Sequence, residues 1–193
     1  MNLPNKLTMG RLVLTVFFVA ALSLEIPYGK TIALVLFLAA AITDYFDGAI
    51  ARKHGLVTNF GKLMDPLADK VLIAAALILL VDHGLIWGWT VVVVIAREFL
   101  VTGLRLLAAS EGIVVAAEKL GKWKTTIQIV TVVYCLLYLA SIEGVLSALT
   151  PIFSNHLTGL AGLGRGLEIA MMLLTLWSGV GYLKKNRRLL ASG

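Results

Sequence analysis

The chain has 193 residues, of which 59% are hydrophobic and only 15% charged, with a formal net charge of +6 and a mean hydropathy of +0.92. A soluble core of this size would leave too much apolar surface in water, which excludes a secreted disulfide scaffold, a disordered tail and a soluble nucleic-acid binder, and points to a bilayer. The basic excess fits the cytoplasmic loops of a membrane protein with no nucleic-acid partner, and the single Cys135 offers no intrachain disulfide.

In chain order, six stretches are long enough to cross ~30 Å of hydrocarbon at about 1.5 Å per residue. They run approximately over Leu12–Ile26, Thr31–Ala51, Leu63–Val81, Leu85–Ala109, Thr125–Ile142 and Leu167–Leu183. The first is short unless it starts near Leu7 and passes through Arg11, which makes its beginning an interfacial amphipathic segment. A cleaved signal peptide ending in the small residues Ala21 and Ser23 is the alternative, opposed by Glu25 and Pro27, which look like a short turn into the next span. The expected fold is all-α and integral to the membrane, a single domain over residues 1–193 with six transmembrane helices.

Orientation follows from the 17 basic residues, because cytoplasmic loops carry the Lys and Arg excess. Lys6 and Arg11 precede span one, Arg52, Lys53 and Lys62 separate spans two and three, Lys119, Lys122 and Lys124 separate four and five, and Lys184, Lys185, Arg187 and Arg188 follow six. The opposite loops hold only Lys30 and Arg165, so both termini are expected in the cytoplasm and Trp87 and Trp89 at the outer interface. Lys70, Arg97 and Arg105 fall inside spans.

An ionisable side chain in mid-membrane costs roughly 2.5–3.5 kcal/mol even on the lenient insertion scale, so it persists mainly where it is paired or functional. Asp44 and Asp47 close span two, and Asp65 and Asp69 open span three. Spacings of i, i+3 and i, i+4 put each pair on one helix face. Antiparallel helices joined by a short cytoplasmic loop bring both pairs to the same depth. Four carboxylates would repel one another there unless cations neutralise them. An all-oxygen donor set, with no Cys or His at ligand spacing, selects Mg2+ or Mn2+ over zinc and points to phosphate chemistry. Each residue also has a plainer reading. Asp65 before Pro66 suits a helix N-cap, Asp44 or Asp69 can pair with Arg52 or Lys70, and Gly48 can be a packing glycine.

The segment Asp44-Tyr-Phe-Asp47-Gly48-Ala-Ile-Ala51-Arg52, eight residues, then Gly61-Lys-Leu-Met-Asp65-Pro-Leu-Ala-Asp69 resembles the signature of the CDP-alcohol phosphotransferase family at every fixed position. The six-span plan resembles that family's membrane domain over essentially the whole chain. The resemblance implies that Asp44, Asp47 and Asp65 bind divalent metal, and that Asp69 completes the cluster and acts as general base. It also implies that Gly48, Ala51, Arg52 and Gly61 shape the CDP site, and that the protein is a homodimer among membrane lipids. Four carboxylates and a diphosphate offer enough oxygen for two ions about 3.5–4 Å apart.

Looser matches resemble the branch of the family whose acceptor is sn-glycerol 3-phosphate. They are Pro4-Asn5-Lys-Leu-Thr8-Met-Gly-Arg11, the run Arg97-Glu98-Phe-Leu-Val-Thr-Gly-Leu-Arg105, and Gly121-Lys122-Trp-Lys124-Thr125 with Gln128. A cationic pocket of Arg97, Arg105, Lys122 and Lys124, with Thr125, would suit a phosphorylated alcohol. Against this, Arg97 can pair with Glu98 or Glu168, and the two lysines can be plain topology charge. The implied reaction moves a phosphatidyl group from CDP-diacylglycerol to sn-glycerol 3-phosphate and releases CMP at the cytoplasmic face of the inner membrane. Another acceptor such as inositol phosphate stays open, as does a divalent-cation transporter, which also uses intramembrane acids.

Overall fold

The computed structural model describes residues 3–54, 59–110, 119–153 and 162–185, and within them the side chains outside 3–7, 44–54, 59–67, 69, 109–110, 119–120, 122 and 152. Among the described residues there are six α-helices and no strand: α1 (Leu3–Ser23), α2 (Gly29–His54), α3 (Asn59–Asp82), α4 (Gly88–Ser110), α5 (Lys119–Ile142) and α6 (Leu163–Lys185). A 3-10 turn at Ser147–Phe153 lies between the last two.

Each apolar stretch of the sequence thus becomes a helix, and the differences lie at the ends. The first helix is continuous from Leu3 and stops at Ser23, before a turn that contains Tyr28 at a φ of 59°. The fourth starts at Gly88, not at Leu85, because Gly84 turns the chain with a φ of 70°. Leu85 and Ile86 are buried within that turn. Hydropathy reads burial and not backbone conformation, so a buried turn and a helix start look alike in sequence.

The chain divides into two compact units, Met1–His83 with Val132–Asn155, and Gly84–Thr131 with His156–Gly193. In the first unit α1 packs on α2 and α3. Phe18 of α1 meets Phe37 of α2 with ring centroids 5.7 Å apart. Small residues such as Ala33, Ala40, Ala68 and Ala76 are fully buried beside them, which lets the helix backbones approach closely, as membrane helices do. The start of α2 is held from far along the chain. The Glu143 carboxylate accepts the backbone N–H of Lys30 at 3.1 Å, the N–H of Thr31 at 2.9 Å and the Thr31 hydroxyl at 2.8 Å. Burial pushes the Glu143 carboxyl up, but the Thr31 and Lys30 hydrogen bonds and the Lys30 charge outweigh it and hold the group below its ordinary value. Phe153 of the 3-10 turn packs edge-on against Tyr134 and Tyr138 of α5.

In the second unit α4 packs on α6, and the start of α4 has its own carboxylate. Glu168 of α6 accepts the Trp87 N–H and the Thr90 hydroxyl, each at 2.7 Å. Arg165 pairs with the same carboxylate, and its guanidinium lies 4.0 Å over the Trp87 ring. Both caps satisfy helix N-terminal donors that have no partner within their own helix.

Apolar residues lie both inside and outside, and polar ones are buried among the apolar core. Thr8, Arg11, Thr15, Thr90, Lys124, Gln128, Thr131, Glu168, Thr175 and Ser178 are buried, while Val13, Val16, Phe17, Val35, Ile78, Phe99, Leu173 and Trp177 are exposed. That distribution belongs to a protein whose solvent is lipid. Among the described residues, Trp123–Ile142 and Leu163–Lys185 are each long and apolar enough to cross a membrane, and Thr8–Ser23 and Gly29–Thr43 are shorter apolar helices.

Candidate active site

Both halves of the acidic motif fall within helices of the first unit. Asp44, Asp47, Gly48, Ala51 and Arg52 occupy the last three turns of α2, and Gly61, Asp65 and Asp69 lie in the first half of α3. The two helices are in contact. Helical backbone through 44–52 keeps Asp44 and Asp47 one turn apart, and the same holds for Asp65 and Asp69. Because α3 begins at Asn59, Asp65 and Pro66 lie inside the helix, so Asp65 is not its N-cap. The side chains of Asp44, Asp47, Gly48, Ala51, Arg52, Gly61, Asp65, Asp69 and Lys122 lie outside the described residues. The chemistry of the donor set fits a hard divalent cation, since every candidate ligand is a carboxylate oxygen.

Two of the basic residues, Arg97 and Lys124, meet in the second unit at one carboxylate. Arg97 reaches Glu98 Oε1 through NH1 at 3.2 Å, and Lys124 of α5 pairs with that same oxygen. The Arg97 Nε donates to Ser178 Oγ of α6 at 3.2 Å, and Ser178 donates in turn to the Thr175 carbonyl at 3.0 Å. The next residue along α6 is Gly179, where a Cβ would stand 3.2 Å from the Arg97 Cγ, so a missing side chain makes room for the arginine stem. Of the two carboxylates open to Arg97 in sequence, Glu98 takes it, while Glu168 serves the other end of α4.

Arg105 is placed differently. It is exposed, and its guanidinium sits 5.7 Å from the centroid of the buried Tyr182 ring, a cation–π distance. The Thr125 hydroxyl donates to the Gly121 carbonyl one turn back, at 3.1 Å. Arg97 and Lys124 are therefore brought together, whereas Arg105 and Thr125 have separate partners. The sequence offers Glu98 only as an ion-pair alternative for Arg97, which the structure bears out, and it passes over Ser178. The signal for Glu98 was present, since a carboxylate within an apolar helix demands a partner. Ser178 carries no such signal, because a hydroxyl satisfies itself on its own helix.

A family model described as CDP-alcohol phosphatidyltransferase matches residues 1–178. The chain is 50% identical over 149 residues to the CDP-diacylglycerol–glycerol-3-phosphate 3-phosphatidyltransferase of Bacillus subtilis (strain 168), covering 71% of this chain and 77% of that protein. It is 36% identical over 203 aligned residues to the CDP-diacylglycerol–glycerol-3-phosphate 3-phosphatidyltransferase 2 of Arabidopsis thaliana, covering 98% of this chain and 81% of that protein. Similarity to the protein of the same description from Rickettsia bellii (strain RML369-C) is 40% over 127 residues, 66% of this chain and 70% of that one.

Proposed function

We propose, from the premise that the chain belongs to the CDP-alcohol phosphatidyltransferase family, that it transfers the phosphatidyl group of CDP-diacylglycerol to sn-glycerol 3-phosphate, giving phosphatidylglycerophosphate and CMP. The observation that carries this reading is the complete acidic motif in unbroken helical register on α2 and α3. The relatives' names supply the acceptor.

Asp44, Asp47, Asp65 and Asp69 would hold the divalent cation, Mg2+ or Mn2+, and a pair of ions is the occupancy we favour. Bound there, the metal supplies positive charge that offsets the diphosphate and the departing CMP. Gly48, Ala51 and Gly61 keep the CDP site open to close backbone approach, and Arg52 donates to phosphate oxygens through its planar fork. Asp69 accepts the proton of the glycerol 1-hydroxyl as that oxygen attacks the lipid-linked phosphorus. The bond from this phosphorus to the CMP oxygen breaks, and CMP leaves with the electron pair. Arg97, Arg105, Lys122, Lys124 and Thr125 serve the acceptor phosphate.

The membrane arrangement that goes with this chemistry is a single domain of six spans with both termini in the cytoplasm, in the inner membrane, and assembled as a homodimer. Its support is the positive-inside sorting of the basic residues. A site at the cytoplasmic face leaves the acyl chains in lipid and receives soluble glycerol 3-phosphate from the cytosol.

The test is CMP release by the purified protein from CDP-diacylglycerol. Release that depends on both glycerol 3-phosphate and an added divalent ion, and stops with chelator, is the expected result. Release with inositol phosphate instead of glycerol 3-phosphate would move the acceptor assignment, and cation flux without CMP release would overturn the reading.

A further inference from the structure

Arg97 sits near the middle of α4 with its side chain 12% exposed, so neighbouring groups and not water set its orientation. An arginine has many rotamers, and a phosphate gains from its planar fork only when the fork is already aimed. NH1 donates to Glu98 Oε1 at 3.2 Å. Glu98 is the next residue of the same helix, so that contact ties the guanidinium to α4 alone. The tie to α6 is Ser178, whose Oγ accepts from Arg97 Nε at 3.2 Å. Beside it Gly179 leaves the space in which the arginine stem lies, since a Cβ there would stand 3.2 Å from Arg97 Cγ.

A helical serine commonly turns its hydroxyl onto its own backbone, and Ser178 donates to the Thr175 carbonyl at 3.0 Å. With its one proton engaged there, the hydroxyl presents lone pairs to Arg97 and acts towards it purely as an acceptor. Ser178 is 2% exposed, so water does not compete for those lone pairs. A guanidinium is rigid and planar. Holding Nε and NH1 therefore fixes its plane, and with it the direction of the two hydrogens on the third nitrogen, which neither contact uses.

We infer that Ser178 is a positioning residue for the acceptor. On the reading above that Arg97 serves the acceptor phosphate, on which this inference rests, Ser178 holds the guanidinium in the orientation that a phosphate oxygen meets, and Gly179 admits the stem. Ser178 acts through Arg97 without touching the substrate. A neutral oxygen suits the task, because a second carboxylate at position 178 would also accept from Nε but would compete with the phosphate for the same cation.

The test is steady-state kinetics of the full-length protein in CDP-diacylglycerol mixed micelles, with Ser178→Ala and Arg97→Gln made singly and together. Ser178→Ala should raise the KM for glycerol 3-phosphate by about twofold to tenfold, the usual effect of losing one hydrogen bond, and leave that for CDP-diacylglycerol unmoved. Ser178→Thr keeps the hydroxyl and should restore most of the loss. A residue that acts through Arg97 has nothing to act on once the guanidinium is gone, so Ser178→Ala should add no further rise in the Arg97→Gln background. An unchanged KM in folded Ser178→Ala, or the same rise with and without Arg97, would overturn the inference. Should Ser178→Ala not fold, Gly179→Ala reads the same seat: the arginine stem must yield by a few tenths of an ångström, and an unmoved glycerol 3-phosphate KM would again overturn it.

Arg97→Gln alone separates this inference from the reading beneath it. If Arg97→Gln leaves the glycerol 3-phosphate KM untouched, the acceptor assignment of Arg97 itself fails; if it raises KM while Ser178→Ala does not, that assignment stands and only the role of Ser178 fails.

Discussion

Gly29 is the first residue of α2, and it has no room for a methyl group. A Cβ there would stand 2.6 Å from the carbonyl oxygen of Ala21 and 3.0 Å from Ile26 Cγ1. The obstacle is backbone, which cannot swing aside as a side chain would. Gly29→Ala should destabilise the protein by about 1–3 kcal/mol, the usual cost of forced overpacking. Thermal denaturation in detergent would measure it, and an unshifted midpoint would show that the turn between α1 and α2 yields more easily than its geometry implies. Asp69 is the residue on which the proposed chemistry turns. Asp69→Asn should keep binding of CDP-diacylglycerol but lower kcat by about 10²–10⁴-fold, the typical worth of a general base. Nucleotide-lipid binding and single-turnover CMP release on one preparation would check this. A larger loss would mean that a metal position was disturbed as well, and near-normal release would move the base elsewhere.

At the scale of elements, α2 and α4 begin in the same way, each capped by a glutamate from a helix or loop much further along the chain. Glu143 is more than 110 residues from the Thr31 it binds, and Glu168 is 81 residues from Trp87. A carboxylate at a helix N-terminus gains from the helix dipole and satisfies orphan N–H groups. Glu143 has its carboxyl held below its ordinary value near 4.5. A depressed carboxyl contributes stability above its unfolded value and loses it as pH falls through the folded one. The wild type should therefore lose stability below about pH 4.5, whereas Glu143→Gln should be less stable at neutral pH and show a flatter acid limb. Melting curves across pH 3 to 7 on both proteins decide it. Parallel acid limbs would assign the loss to other carboxylates.

For the whole molecule, the consequential quantity is topology. Twelve of the 17 basic residues fall in loops assigned to one side, and this sorting carries the proposed orientation. Ser147 is exposed in the turn after α5, which the proposed orientation puts on the side opposite the basic loops, and Ser192 lies beyond the basic cluster after α6. The native Cys135 is buried, which keeps the labelling background low. A membrane-impermeant thiol reagent should modify Ser147→Cys in intact cells and Ser192→Cys only after permeabilisation. Labelling of both from outside would reverse the terminus, and with it the cytoplasmic placement of the acidic motif.

Six helices were legible in the sequence, and so was the register of Asp44, Asp47, Asp65 and Asp69, because both depend on residues a few positions apart along one chain segment. Apolar length sets a helix in lipid, and a three- or four-residue step sets a shared face whatever the helix packs against. Even there hydropathy misplaced the start of α4, because Leu85 and Ile86 are as buried in a turn as they would be in a helix. What only the tertiary structure decided is partnership. The sequence says that Glu98, Glu143 and Glu168 need cations or donors, since a lone carboxylate is too costly in an apolar segment. It does not say that Glu98 takes Arg97 and Lys124, that Glu143 takes the start of α2, or that Glu168 takes Arg165 and the start of α4. Those choices are made by which helices lie side by side, and a lipid-facing and a partner-facing apolar surface look the same in sequence, since both are built from the same side chains.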